Sequence, residues 1–233
     1  MIRSLKVLSL LLSYPDAELK AGVGELRAAL DAERLLSPRA RRALDPLFSA
    51  FAREDLLELQ GLYVDLFDRT RSLSLHLFEH VHGESRERGQ AMIDLRANYA
   101  DQGLLMVAEE LPDYLPAFLE FTANLPLKEA RRTLAEPVHV LQALQERLVD
   151  RDTPYAAVLG ALVELSGAKP QAEALQELRA KPDPKADDFE AVDQAWEEAP
   201  VRFGPEAPEP TGFMAKMRAW KRPAGTPRQP TRQ

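Results

Sequence analysis

Cysteine is absent from the chain. Its absence excludes disulfides, thiolate zinc sites, cysteine-bound iron–sulfur clusters and a cysteine nucleophile. It also leaves no sign of an oxidising compartment, so a cytoplasmic location is expected. Long apolar runs are missing as well. No segment reaches the roughly 18 apolar residues that a membrane span requires. The stretch 1–12 is apolar but carries Arg3 and Lys6, and Tyr14-Pro15 follows it with no small-residue cleavage site. It reads as a first core helix. There is no basic excess either: 30 Lys and Arg stand against 37 Asp and Glu, for a net charge of −7. Nucleic acid selects a basic surface and is not an expected partner. Glycine-rich phosphate loops, internal repeats and heptad arrays are not found.

What is present is helical patterning over a chain of 233 residues that is 45% apolar, enough for one large domain and a tail. In 54–67, Leu56, Leu59, Tyr63, Leu66 and Phe67 form one stripe. Met92, Leu95 and Tyr99 repeat at spacings of three and four within 86–100. Leu134, Val138, Leu141, Leu144 and Leu148 do the same across 127–149. Ser37-Pro38 reads as an N-cap followed by proline at the first helical position, and Thr153-Pro154 repeats the signal. Ser166-Gly167 ends a helix over 154–165, and Pro170 opens another to about 180. The expectation is an all-α fold: a single compact bundle of about eight or nine helices over 1–180. Between Arg69 and Gly83 the helical period fails, and Ser72 to Leu77 alternates polar and apolar residues.

Residues 181–233 hold nine of the 18 prolines and form a charge-segregated tail, expected to be largely flexible. Residues 181–210 carry nine acids against three bases, whereas 211–233 carry six bases and no acid. Phe213, Met214, Met217 and Trp220 share one helical face beside Lys216, Arg218, Lys221 and Arg222. Such a segment suits an acidic surface or anionic lipid; a solvated tail is the plainer reading.

Three of the four histidines lie in 76–82. His76-x-x-Glu79-His80 has the spacing with which two imidazoles bind zinc on a helix while a glutamate polarises the bound water. A zinc hydrolase is therefore one alternative, and it needs a third ligand from a later helix. A generic helical adaptor is another. Capping or backbone-bonded histidines explain the same residues without a metal.

A longer pattern encloses this motif. Leu62-Tyr63-Val64-Asp65-Leu66-Phe67-Asp68, then Ser74 through Leu95, then Glu110-Leu111-Pro112-Asp113-Tyr114-Leu115-Pro116 with Phe118-Leu119-Glu120, follow in order. Asp193 through Gly204 closes the series, and Leu11 to Pro15 weakly opens it. Together, over about residues 5–204, they resemble the nitrate reductase assembly chaperones, the delta-subunit family within the wider TorD-like group. The resemblance implies an all-helical, cytoplasmic chaperone without catalysis, metal or cofactor of its own. Its implied partners are the N-terminal segment of the nitrate reductase alpha subunit and the apo alpha–beta complex. Molybdenum cofactor biosynthesis proteins extend that list.

An amphipathic leader requires an apolar groove with acid at its rim. Tyr63, Phe67 and Asp68 on one side, and Asp113, Tyr114, Leu115, Phe118 and Glu120 on the other, are the expected walls. Leu111-Pro112-Asp113 is expected to begin the second wall's helix. His76, Glu79, His80, His82 and Arg86 join the candidate peptide site. Gly83 and Gly89 bracket a candidate hinge. The aromatic spacing of both walls equally fits core packing.

Overall fold

The computed structural model describes residues 1–82, 86–104, 106 and 110–183. The described residues contain helices and turns and no strand; one isolated antiparallel bridge joins His76 to Tyr114. The helices are α1 (Arg3–Leu11), α2 (Ala17–Glu33), α3 (Pro38–Ala43), α4 (Asp45–Arg53), α5 (Leu56–Tyr63), α6 (Leu77–His82), α7 (Arg86–Asp101), α8 (Leu115–Ala123), α9 (Leu127–Ala135), α10 (Val138–Asp150), α11 (Ala156–Ser166) and α12 (Ala172–Ala180). A π-helical turn (Val64–Asp68) extends α5, and a 3₁₀ turn (Arg71–Leu73) follows. The elements outnumber those expected because several are short and one predicted helix is split. The period over 127–149 runs unbroken through Glu136-Pro137, but the chain divides there into α9 and α10. Proline has no N–H to give α9 and instead stands immediately before α10.

Local sequence explains a few ends; the cap expected at Thr153-Pro154 does not form, since α11 begins at Ala156 with no side-chain cap. The Ser37 hydroxyl accepts from the Ala40 amide at 3.1 Å, with Pro38 in the first turn. The Asp16 carboxylate accepts from Leu19 at 2.7 Å and starts α2. Gly167 ends α11 at φ 63°, a left-handed angle that glycine adopts without the usual side-chain penalty. The start of α1 has no cap of its own. Glu33, at the end of α2, supplies one, accepting from the Arg3 and Ser4 amides at 2.9 and 2.6 Å.

As expected, α1 is a core helix, with Leu5, Leu8 and Leu11 buried. It packs between α2 and α8, while α10 packs on α11 and α12. The rings of Tyr63 and Tyr155 lie 4.9 and 5.1 Å from that of Phe67 in an aromatic cluster. All three side chains are buried. Residues 184–233, with the closing sequence element and the basic segment, lie outside the described residues.

Candidate functional site

The 69–82 linker is where hydrophobic periodicity fails, and polar bonding holds it in place. Leu115 N–H donates to the Leu75 carbonyl at 2.8 Å, and Leu77 N–H to the Asp113 carbonyl at 3.0 Å. These bonds lay the linker along the entry to α8. The Asp113 side chain is fully buried and accepts from the Phe78 amide at 3.0 Å. It thus caps α6 from 35 residues away. Its other oxygen lies 3.2 Å from His76 Nδ1. That hydrogen bond is the chief reason the His76 imidazole titrates above its usual range, against partial burial. His80 Nε2 faces the Ser74 carbonyl at 2.7 Å. Burial drives its pKa down to about 4, with the Ser74 bond opposing, so the ring is neutral near pH 7.

Two cations fasten the linker to the other end of the bundle. Arg147, almost buried, donates to the carbonyls of Ser72 and Leu178, each at 2.7 Å. Lys181 Nζ donates to the His80 carbonyl at 2.6 Å. Burial lowers the pKa of both groups.

His76 and His80 therefore face different partners, Asp113 and Ser74. His76 precedes α6 while His80 lies within it. Among the described residues, no three His, Asp or Glu side chains gather closely enough to hold a metal ion. Glu79 pairs with Arg88 at 3.1 Å. Among the described residues, His76 and His80 do not turn toward a common point.

A groove of about 660 Å³ does open on the surface, between α1, α8 and the residues Leu104, Met106, Glu110 and Tyr114. Its apolar lining includes Leu10, Leu104, Met106, Ala117 and Phe121. Lys6, Asp16, Glu110 and Glu120 supply its charge. Lys6 pairs with Glu120 at 2.5 Å, Asp16 is engaged in capping α2, and Glu110 is exposed. Ser9 Oγ donates to the Pro116 carbonyl at 2.8 Å and sets the distance between the two helical walls. Beneath Tyr114, its hydroxyl meets that of Tyr63 at 2.9 Å, and Tyr63 donates to the Leu12 carbonyl at 3.0 Å.

Two of the expected peptide-contact residues, Tyr114 and Glu120, line this groove. Tyr63 is buried and does not line it; its hydroxyl bonds that of Tyr114, which does. Phe67, Leu115 and Phe118 are 5%, 0% and 1% exposed and cannot form an outer wall in this conformation. The reason is geometric: the π turn directs both Leu66 and Phe67 inward, and α8, which packs on α1, has Leu115 and Phe118 on its buried side. Asp113 and His80 are also buried. Asp68 stays exposed, and partial burial raises its carboxyl pKa, opposed by His76. The wall helix begins later than expected: Pro116, rather than Pro112, occupies the first turn of α8. Gly89 lies within continuous α7 and breaks nothing. Gly83 and the side chains of His82 and Arg86 lie outside the described residues.

Sequence reasoning missed the α1 wall, Lys6 and Leu10, and the aromatic base, Tyr99 and Phe121. Tyr99 donates to the Pro112 carbonyl at 2.7 Å, and its ring lies 4.5 Å from that of Phe121. Lys6 and Leu10 stand four apart on one helical face, and the charge at Lys6 was the available signal that this face is not core.

An all-helical bundle with an apolar, acid-rimmed surface groove is the class that fold and site define. A crystal structure from Archaeoglobus fulgidus, described as a candidate redox enzyme maturation protein, shares this fold with a TM-score of 0.50 and 23% identity. The match covers 70% of this chain and 93% of that one. The chain belongs to the nitrate reductase delta subunit family, whose model matches residues 16–160. It is 40% identical over 199 residues to the nitrate reductase molybdenum cofactor assembly chaperone NarJ of Escherichia coli K12, covering 85% of this chain and 84% of that one. It is 37% identical over 203 residues to NarW of the same strain. With NarJ of Bacillus subtilis it shares 33% over 156 residues.

Proposed function

We propose that this chain is a cytoplasmic assembly chaperone for a respiratory nitrate reductase. It binds the N-terminal segment of the catalytic alpha subunit in the α1/α8 groove. It holds the apo alpha–beta complex until molybdenum cofactor is inserted and the complex docks at its membrane subunit. The chain itself performs no catalysis. Molybdenum cofactor biosynthesis proteins meet it during that interval. The domain spans residues 1–180, and 181–233 is an appended tail.

The observation that carries the proposal is the groove, apolar within and acidic at the rim. Magnitudes rank its parts. A micromolar complex needs about 8 kcal/mol net. Lost translational and rotational freedom adds at least about 4 kcal/mol to that demand. Exposed ion pairs return roughly 0–1 kcal/mol each and weaken with salt. Apolar burial must supply the rest, on the order of 500 Å² at about 25 cal/mol per Å². The carboxylates of Glu110 and Glu120 then set orientation and arrival rate.

Calorimetry with a synthetic peptide of the client's N-terminal segment tests the groove. Ala117→Trp fills it from a half-buried position on α8. The expected result is a loss of at least about tenfold in affinity, against less than about threefold for Glu120→Gln. Unchanged affinity in Ala117→Trp, with native melting, removes the groove as the binding site.

A further inference from the structure

Fifty residues follow Asp183. Their point of departure is fixed: Asp183 pairs with Arg151 at 2.7 Å, and Lys181 is bonded to the His80 carbonyl at 2.6 Å. Within those fifty residues, 211–222 contains Phe213, Met214, Met217 and Trp220 at helical spacing, with Lys216, Arg218, Lys221 and Arg222 and no acid. That chemistry is what the groove selects. Asp16, Glu110 and Glu120 outweigh Lys6 there, beside apolar Leu10 and Ala117.

We propose that residues 211–222 occupy the α1/α8 groove of their own chain, so that a client segment binds by displacing them. The proposal rests on the groove being the client's site. It gives the groove a built-in occupant with the apolar face and positive charge expected of a client leader.

Reach is no obstacle. Thirty residues separate Asp183 from Phe213. Fully extended they span about 100 Å. A bundle of this size has a radius of gyration of about 16 Å, hence a width of about 40 Å. Every point on its surface is within range. A linker of this order holds its end at an effective concentration near 1 mM. Even a weak segment, with a dissociation constant of about 100 μM as a free peptide, then fills the groove about nine-tenths of the time. The client's apparent affinity falls by about tenfold. Removing the segment's apolar face reverses that loss.

The absence of native cysteine makes a trapping experiment clean in the full chain. Ala117→Cys with Met217→Cys places one thiol on the groove wall and one on the segment. Leu57→Cys with Met217→Cys is the control, because Leu57 is 81% exposed on α5 and outside the groove. Mild oxidation of dilute protein is expected to close the 117–217 bond within one chain at least tenfold faster than the 57–217 bond. Client peptide is expected to slow that closure. In a second full-chain variant, Phe213→Ser with Trp220→Ser, client peptide is expected to bind about tenfold more tightly than in the parent.

Equal closure rates for the two pairs overturn the proposal. So do covalent dimers that grow with protein concentration, because a second copy is then the occupant. Trp220 emission, isolated by Trp196→Phe, that shifts only on phosphatidylglycerol vesicles assigns the segment to lipid and overturns it too. The two readings fail separately. Rapid 117–217 closure that client peptide never slows sinks the client site and leaves self-occupancy standing. Client binding sensitive to Ala117→Trp, but with equal affinity for the Phe213→Ser, Trp220→Ser variant, does the reverse.

Discussion

Replacing Asp113 tests whether the family's signature acts by folding. Its carboxylate is fully buried and accepts from the Phe78 amide and from His76 Nδ1. Asp113→Ala removes the carboxylate that the buried Phe78 amide bonds at the start of α6, at a cost of about 1–3 kcal/mol. It also removes negative charge from that helix end and strands a half-buried imidazole, for a total near 3 kcal/mol. In a chain of this length the melting temperature should fall by about 6–12 °C. Asp113→Asn keeps an acceptor for Phe78 and should cost about 2–4 °C. Thermal unfolding followed by circular dichroism gives both numbers. The pH dependence supplies a second check. His76 titrates above its ordinary 6.5 because of Asp113. A raised folded pKa stabilises fully below 6.5 and loses that contribution as pH rises through the folded value. The gap between parent and Asp113→Ala should therefore be wider at pH 6 than at pH 8. An alanine variant that melts within 2 °C of the parent, or a gap that widens with pH, refutes the capping argument.

His80 has the opposite sign. Its folded pKa of about 4 means stability is retained above 6.5 and lost as pH falls towards 4, by about 2 kcal/mol between pH 6.5 and 5. His80→Gln keeps a donor for the Ser74 carbonyl, so urea midpoints for the variant should decline less over that range than the parent's. Arg147→Met strips donors from the Ser72 and Leu178 carbonyls, and the urea midpoint should drop by about 1 M, equivalent to roughly 2–3 kcal/mol. Tyr63→Phe removes the bonds to the Leu12 carbonyl and the Tyr114 hydroxyl while keeping the ring, and chemical denaturation should register about 1–2 kcal/mol.

Periodic features of the fold were legible in advance; pairings across the chain were not. Helix identity at α7 and α11, the Ser37 cap and the Gly167 stop follow from spacing and local chemistry, which a linear chain carries openly. The division at Pro137 was hidden because the leucine stripe continues in phase across it. The candidate site was half legible. Tyr114 and Glu120 do line the groove. Phe67 and Phe118 do not, because a spacing of three or four says that residues share a face without saying which way the face points. The π turn adds a local rotation that no periodicity announces. Asp113 resembled a rim acid because its partner amide lies 35 residues earlier, a pairing only tertiary structure creates. Lys6 and Leu10 escaped notice because most of the helix that carries them is buried.

The burial of so much of the signature is informative about the groove. Asp113, His76 and the Leu75–Leu115 backbone bond fix the segment that enters α8. Arg147 and Lys181 tie the same linker to α12 and the root of the tail. Ser9 then binds α1 to the first turn of α8. Polar residues at the linker thus hold one groove wall against the other. Such preorganisation matters energetically. Each side chain that must be ordered on binding costs about 0.5–1.5 kcal/mol, comparable to a whole exposed ion pair. A signature that removes a few of those costs changes affinity as much as the rim carboxylates do. Substitutions at Asp113 or His76 should accordingly weaken a client through the shape and rigidity of the α8 wall, while Ala117→Trp weakens it by direct obstruction. The two modes separate experimentally: the first lowers thermal stability together with affinity, and the second lowers affinity alone.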